Sequence, residues 1–222
     1  MLSIIVPTYL MSEERAAEWA AHRAQIVAVH SIPTEIIVVD NGSTCPPAES
    51  TTAWLENKGV APAWNEGVRQ STGDLLCFMT CTVDVQPGWD ARLCAVAESG
   101  RYVAMPLTNG EPAYGLGVTG WCWVVRRELF DEVGPFDETF VPVQYEDTDW
   151  FHRAIYQHGL ELVTVPSARV RREGSRQTWT MDARRQHYIH LANRYRYAWK
   201  HGVDPAEAPP FWRPLRQIRP SI

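Results

Sequence analysis

Three apolar runs, each ending abruptly in turn chemistry, constrain this chain more than any other feature. Ser3–Val6 stops at Pro7-Thr8-Tyr9, Glu35–Val39 stops at Asp40-Asn41-Gly42-Ser43-Thr44, and Asp74–Met79 leads to Thr82-Val83-Asp84. Apolar runs without polar alternation are typical of strands covered on both faces. Helical segments lie between them. Residues 12–30 open on a Ser cap and place Ala, Trp, Ile and Val at helical spacing, and Ala61–Ser71 forms a second such segment. This β-α-β-α-β order predicts an open, mainly parallel, Rossmann-like α/β sheet with helices on both faces.

The second half is patterned differently. Gly115, Gly117 and Gly120 punctuate a strand-like GWCWVV, and RRELFDEVG reads as a short helix closed by Gly134. Asp149–His158 is amphipathic and stops at Gly159, ELVTV is a further strand, and HYIHLANRYRYAWKHG is a long helix closed by glycine. The last residues are proline-rich and read as extended. With 222 residues, 45% of them hydrophobic, the chain can bury one large core, and no linker separates its halves.

Composition excludes several classes. No run is long and apolar enough to span a membrane, and the N-terminus lacks a basic leader, reading as a first strand rather than a signal peptide. The five cysteines lack C-x-x-C spacing, which points to buried thiols in a reducing cytosol rather than disulfides or zinc. The net charge of −5 hides an asymmetry: from Arg169 onward twelve Lys/Arg face four Asp/Glu, leaving nine against twenty-two before it. Such a basic end either folds back on the acidic body or meets an anionic partner, a lipid phosphate or nucleic acid. The expected location is cytoplasmic, with peripheral membrane attachment as the alternative.

In open parallel sheets ligands sit beyond the carboxyl ends of the strands. Asp40, ending an apolar strand, is placed to accept hydrogen bonds from a nucleobase or ribose, or to form an Asx turn. No G-x-G-x-x-G follows the first strand and no G-x-x-x-x-G-K-[ST] is present, which argues against dinucleotide and P-loop sites. Asp84 stands where many α/β enzymes hold a metal. A hard divalent cation wants several oxygen ligands, however, and the residue two before it is Thr82. Glu146, Asp147 and Asp149 cluster at a helix start, where they complement the dipole or supply a base. The seven histidines lack H-E-x-x-H spacing, and none is assigned to metal.

Taken together, these segments resemble the family 2 glycosyltransferases of the GT-A fold. SIIVPTY resembles the opening strand and its nucleotide-contacting turn, and IIVVDNGST the second strand. NKGVAPAWNEGVRQSTGDLLCFM resembles the block leading to the metal motif, and GVTGWCWVVRRELFDEVGPFDETF the acceptor-side block. YEDTDWFHRAIYQHG resembles the helix start that carries the catalytic base, and ARVRREGSRQT with NRYRYAWKHG the closing segments. The resemblance covers nearly the whole chain in order. It implies an inverting transfer of sugar from a nucleotide-diphosphate donor, a UDP-sugar first, to a hydroxyl of a saccharide or glycoconjugate. Residues 1–105 would form the nucleotide-sugar half, 106–180 the acceptor and catalytic half of the same domain, and 181–222 a C-terminal helix and basic tail.

Residue by residue, the resemblance points to Asp147 as general base, with Glu146 or Asp149 orienting it or binding acceptor hydroxyls, and Asp149 as the fallback base. Pro7, Thr8, Tyr9, Asp40, Asn41, Gly59, Asn65, Thr82 and Asp84 fall on the donor side. Tyr114, Trp121 and Trp123 form either an acceptor platform or ordinary core. The chain departs from the family pattern at the diphosphate. The usual D-x-D reads Thr82-Val83-Asp84, and the histidine often found before the closing G-S is replaced by Arg172, or by Arg171 if the register slips. Either Asp84 keeps a weak Mn or Mg site, or a guanidinium takes over its work. Two further readings stand beside the leading one: transfer to modified DNA bases, and a degenerate member that binds without turnover. A sugar nucleotidylyltransferase would need a Gly-rich basic loop after the first strand, and VPTYLMSEE has none.

Overall fold

A computed structural model describes residues 1–112, 120–172 and 182–206. Tyr114 and the proline-rich end of the basic tail lie outside the described residues. One nine-stranded sheet runs through both halves in the order β3-β2-β1-β4-β8-β6-β9-β5, with β7 beside β6. The strands are β1 (Leu2–Thr8), β2 (Thr34–Asn41), β3 (Thr52–Trp54), β4 (Leu75–Met79), β5 (Val83–Val85), β6 (Tyr102–Thr108), β7 (Glu111–Pro112), β8 (Cys122–Arg126) and β9 (Glu161–Arg172). The helices are α1 (Glu13–Val29), α2 (Val60–Gln70), α3 (Trp89–Glu98), α4 (Arg127–Val133), α5 (Glu146–His152) and α6 (Ala183–His201), and α5 continues into a π-helical turn, Arg153–Gln157.

β1 to β4, β6 and β9 run one way, and β5, β7 and β8 run against them. The expected parallel core is therefore present, and the second half adds antiparallel strands that make the sheet mixed. The order 3-2-1-4 reverses direction across the sheet between β1 and β4, so a crevice opens beyond their carboxyl ends.

Side-chain alternation sorts the helices onto two faces. Leu2, Ile4 and Val6 of β1 join Trp19 and Ile26 of α1 and Leu93 and Ala97 of α3 in one core. Ile5, between them in sequence, joins Ala63 and Trp64 of α2, Phe130 of α4 and Trp150 of α5 in the other. At Gly67 the contact of α2 with the sheet is so close that a Cβ would stand 2.2 Å from Ile5 Cγ2. That explains the glycine about two turns into an otherwise amphipathic helix. Ser12 caps α1 as its sequence predicts, accepting from the Arg15 N–H at 3.3 Å. All five cysteines are free, and four of them are buried. Among the described residues no helix is long and apolar enough to cross a membrane.

Candidate active site

The donor-side strand ends meet at Asp40. It is 2% exposed, and its Oδ1 accepts from the Thr8 hydroxyl at 3.3 Å and from the Ser43 hydroxyl, whose own oxygen accepts the Leu10 N–H at 2.7 Å. Both contacts fall on one oxygen and neither partner is charged, so Oδ2 stays available to a ligand. Pro7 and Tyr9 are half-buried at the same edge. Asn41 turns inward instead: its amide donates to Gly59 O at 3.0 Å and Asn57 Oδ1 at 3.2 Å, and its oxygen accepts the Lys58 N–H at 2.8 Å. It shapes the loop that carries Gly59. The close approach allowed by that glycine, at φ 103°, is to the chain's own Pro142, whose carbonyl accepts the Val60 N–H at 2.9 Å.

Asn65 does not face the donor crevice. Its amide donates to Phe136 O at 2.9 Å and Glu138 Oε1 at 2.8 Å, and its oxygen accepts the Phe136 N–H at 2.9 Å. Every hydrogen-bonding position of the side chain apart from one lone pair is taken by the segment behind α4. Asn65 is therefore a buried brace between α2 and that segment.

The three carboxylates at the start of α5 have three different settings. Asp147, half-buried where the other two are buried, accepts the Gly120 N–H on Oδ2 at 2.7 Å and the Thr148 N–H on Oδ1 at 2.7 Å. Burial pushes its carboxyl above the ordinary aspartate range, and those N–H donors limit the rise. A Cβ at position 120 would stand 2.9 Å from Asp147 Oδ2, so glycine is what lets the amide reach the carboxylate. Sequence reading treats Gly120 as punctuation, and no local signal ties it to an aspartate 27 residues away. Glu146 is 4% exposed, and its Oε2 has no partner among the described residues. Burial and the neighbouring Asp147 push it well above the usual glutamate range.

Asp149 is not placed as a base. It is fully buried and held by Arg153 Nε at 3.0 Å, Lys200 Nζ at 2.7 Å and His201 Nε2 at 2.8 Å. Burial by itself would raise its carboxyl, but the hydrogen bonds from His201 and Lys200 and the charge of Arg153 carry it below the ordinary value. It locks α5 to α6.

The turn that presents Asp147 is strained and braced. Gln144 and Tyr145 have φ of 77° and 73°, a left-handed pair costing on the order of 1 kcal/mol or more each for non-glycine residues. Asn193 of α6 holds them there by donating to the carbonyls of Val143 and Gln144, each at 3.0 Å.

Trp123 is core, not acceptor platform. It is fully buried, stacked on Phe78 at 4.4 Å and packed against Trp150 at 4.8 Å and Phe151 at 5.0 Å. Trp121, in the turn just before β8, packs against the opposite core, is half-buried and carries the Arg172 guanidinium over its ring at 3.8 Å. Burial pushes that guanidinium down to about 10, still charged at neutral pH, and its Nε has no partner among the described residues.

The strand end at Asp84 does not fit a divalent cation. Asp84 Oδ1 is 2.6 Å from His22 Nδ1, and Oδ2 accepts from Arg171 Nε at 3.2 Å and Nη2 at 3.0 Å. Thr82 adds only a hydroxyl, 3.4 Å from that of Thr80. No group of three His, Cys, Asp or Glu among the described residues could hold a metal. The register Val83↔Arg172 and Asp84↔Arg171 places both arginines against this motif, one on each face of the strand pair.

The comparisons with known proteins bear on the family and the fold. The model of the family described as glycosyl transferase family 2 matches residues 3–113, half of the chain, and the chain belongs to that family. A search of curated proteins returns no match. Among solved structures, GalNAc-T7 with UDP, GalNAc and Mn2+ superimposes with a TM-score of 0.69 at 15% identity, covering 90% of this chain and 47% of that one. The mannosyltransferase PcManGT from Pyrobaculum calidifontis, in complex with GDP-Man and Mn2+, gives 0.68 at 17% identity, covering 95% of this chain and 67% of that one. S. aureus TarS 1–349 in complex with UDP gives 0.55 at 16% identity, covering 69% of this chain and 54% of that one. The fold is thus the mixed α/β domain of GT-A glycosyltransferases, and the chain spans about half the length of the first of these neighbours.

Proposed function

We propose that the chain is an inverting glycosyltransferase that moves a sugar from a nucleotide-diphosphate donor, a UDP-sugar first, to a hydroxyl of a saccharide or glycoconjugate. The observation that carries this reading is the setting of Asp147: a carboxylate held by dipoles rather than cations, raised by burial, and still open to solvent. The neighbours with UDP or GDP-Man support the donor class.

In the proposed step the acceptor oxygen attacks the anomeric carbon from the face opposite the diphosphate. Asp147 takes the hydroxyl proton as the new C–O bond forms. The old bond from the anomeric carbon to the phosphate oxygen breaks, and its electron pair leaves with the nucleotide diphosphate. Asp40 Oδ2 accepts a hydrogen bond from the base or ribose, and Pro7, Thr8 and Tyr9 shape that edge.

The test is transfer from a panel of nucleotide sugars to candidate glycans, with the anomeric configuration of the product read by NMR. Inversion in the wild type, together with loss of transfer but retained donor binding in Asp147→Asn, supports the assignment. Retention of configuration, or an active D147N, overturns it.

A further inference from the structure

We propose that the guanidinium of Arg172, seated on the Trp121 ring, holds the departing nucleotide diphosphate in place of a divalent cation. This rests on the donor reading above and narrows it to a nucleoside diphosphate bound without metal.

The first support is placement. Arg172 ends β9, and its backbone is pinned in both directions by Asn109, which accepts its N–H at 3.0 Å and donates to its carbonyl at 3.2 Å. Gly120, whose amide holds Asp147, is followed directly by Trp121, whose ring carries Arg172 and whose carbonyl accepts the Thr80 N–H at 2.9 Å. Asp147 and the guanidinium are therefore linked through two consecutive residues beside the end of β4.

The second support is an unmet electrostatic demand. A guanidinium removed from water without a counter-anion is unfavourable, and stacking on one tryptophan offsets that by only about 0.5–2 kcal/mol. No carboxylate pairs with Arg172 among the described residues. Phosphate oxygens match its planar fork and would complete the site.

The third support is the state of Asp84. Its oxygens are engaged by His22 and by Arg171, so the carboxylate that a metal would need already has partners. Arg171 is paired with Asp84 on one face of the strand pair, whereas Arg172 on the other face meets no carboxylate among the described residues. A divalent cation there would add to its positive charge, whereas a diphosphate offsets it. As the bond to the anomeric carbon breaks, the electron pair settles on the phosphate oxygen. Arg172 stabilises it by donating hydrogen bonds, without giving up a proton.

The experiment is calorimetric titration of UDP, GDP, dTDP and CDP into the full chain, each with Mn2+ and with EDTA. The wild type, Arg172→Met, Arg172→Lys and Trp121→Leu are compared, with thermal melting as the check of folding. One nucleotide is expected to bind the wild type with equal affinity, within about twofold, in both conditions. R172M should weaken it by about 10- to 100-fold, and R172K by less, because lysine keeps the charge without the fork. W121L should weaken binding about threefold to tenfold, and that effect should vanish in the R172M background if Trp121 acts by positioning Arg172. Binding that requires Mn2+ and is indifferent to R172M overturns the inference while leaving the donor assignment intact. Failure of all four nucleotides in both conditions overturns the donor assignment itself.

Discussion

The two ends of α5's first turn hold aspartates of the same chemistry in opposite settings. Asp147 is held by the amides of Gly120 and Thr148, whereas Asp149, half a turn on, is clamped by Arg153, Lys200 and His201. The strand ends repeat the contrast: Asp40 meets only hydroxyls, while Asp84 is boxed by His22 and Arg171. Dipoles leave a carboxylate with charge to offer a substrate. Cations use that charge internally, and the carboxylate becomes a fastener. The type of partner, more than burial, separates the aspartates proposed to meet substrate from the architectural ones.

The largest effect that would break this comparison is on turnover. Asp147→Asn should lower transfer by about 1,000-fold, within the range general bases contribute, with nucleotide affinity measured calorimetrically unchanged. Asp149→Ala should instead unfold the protein more easily, by about 3 kcal/mol in urea, because it removes the buried carboxylate that Arg153, Lys200 and His201 share. Equal loss of transfer in a fully folded D149A would erase the distinction.

Acid sharpens the contrast. Because Asp149 is lowered in the folded state, its stabilisation is present above the unfolded aspartate value of about 4 and is lost as pH falls through its folded value. Asp147 is raised, so the rate of transfer should climb with pH along a limb above about pH 4. A limb at or below the ordinary aspartate range would exclude Asp147 as the base.

Two smaller effects test the braces. Asn65→Ala leaves the Phe136 N–H and carbonyl without their partner and should cost about 2 kcal/mol in denaturant midpoint analysis, with nucleotide affinity untouched. Ser43→Ala removes one of the two hydroxyls on Asp40 and the acceptor of the Leu10 amide. It should cost about 1 kcal/mol and weaken nucleotide binding by up to about tenfold.

Sequence periodicity carries most of the first hundred residues, because apolar runs, the Ser12 cap and the stop at Asp40 are all local signals. Asp147 is legible through its motif, though its preference over Asp149 becomes physical only when α6 brings in Lys200 and His201 from fifty residues away. Trp121 and Trp123 show the same limit. Strand alternation would put both on one face, but β8 begins only at Cys122, so Trp123 enters the aromatic core while Trp121, in the preceding turn, meets Arg172. Asp84 suggests a metal ligand in one dimension. Its partners come from α1 and from the far end of β9, and no spacing rule reaches either.

The clamp of Asn193 on the turn before α5 sets an order of completion. As the chain is synthesised, the Asp40 side chain has both its hydroxyl partners, Thr8 and Ser43, once residue 43 has emerged. Asp147 instead waits for a side chain nearly fifty positions further on before its turn is held in its left-handed shape. A growing chain would thus complete the hydrogen bonds of Asp40 well before it holds the turn that carries Asp147, and the proposed transfer should be the last ability to appear in length-arrested intermediates.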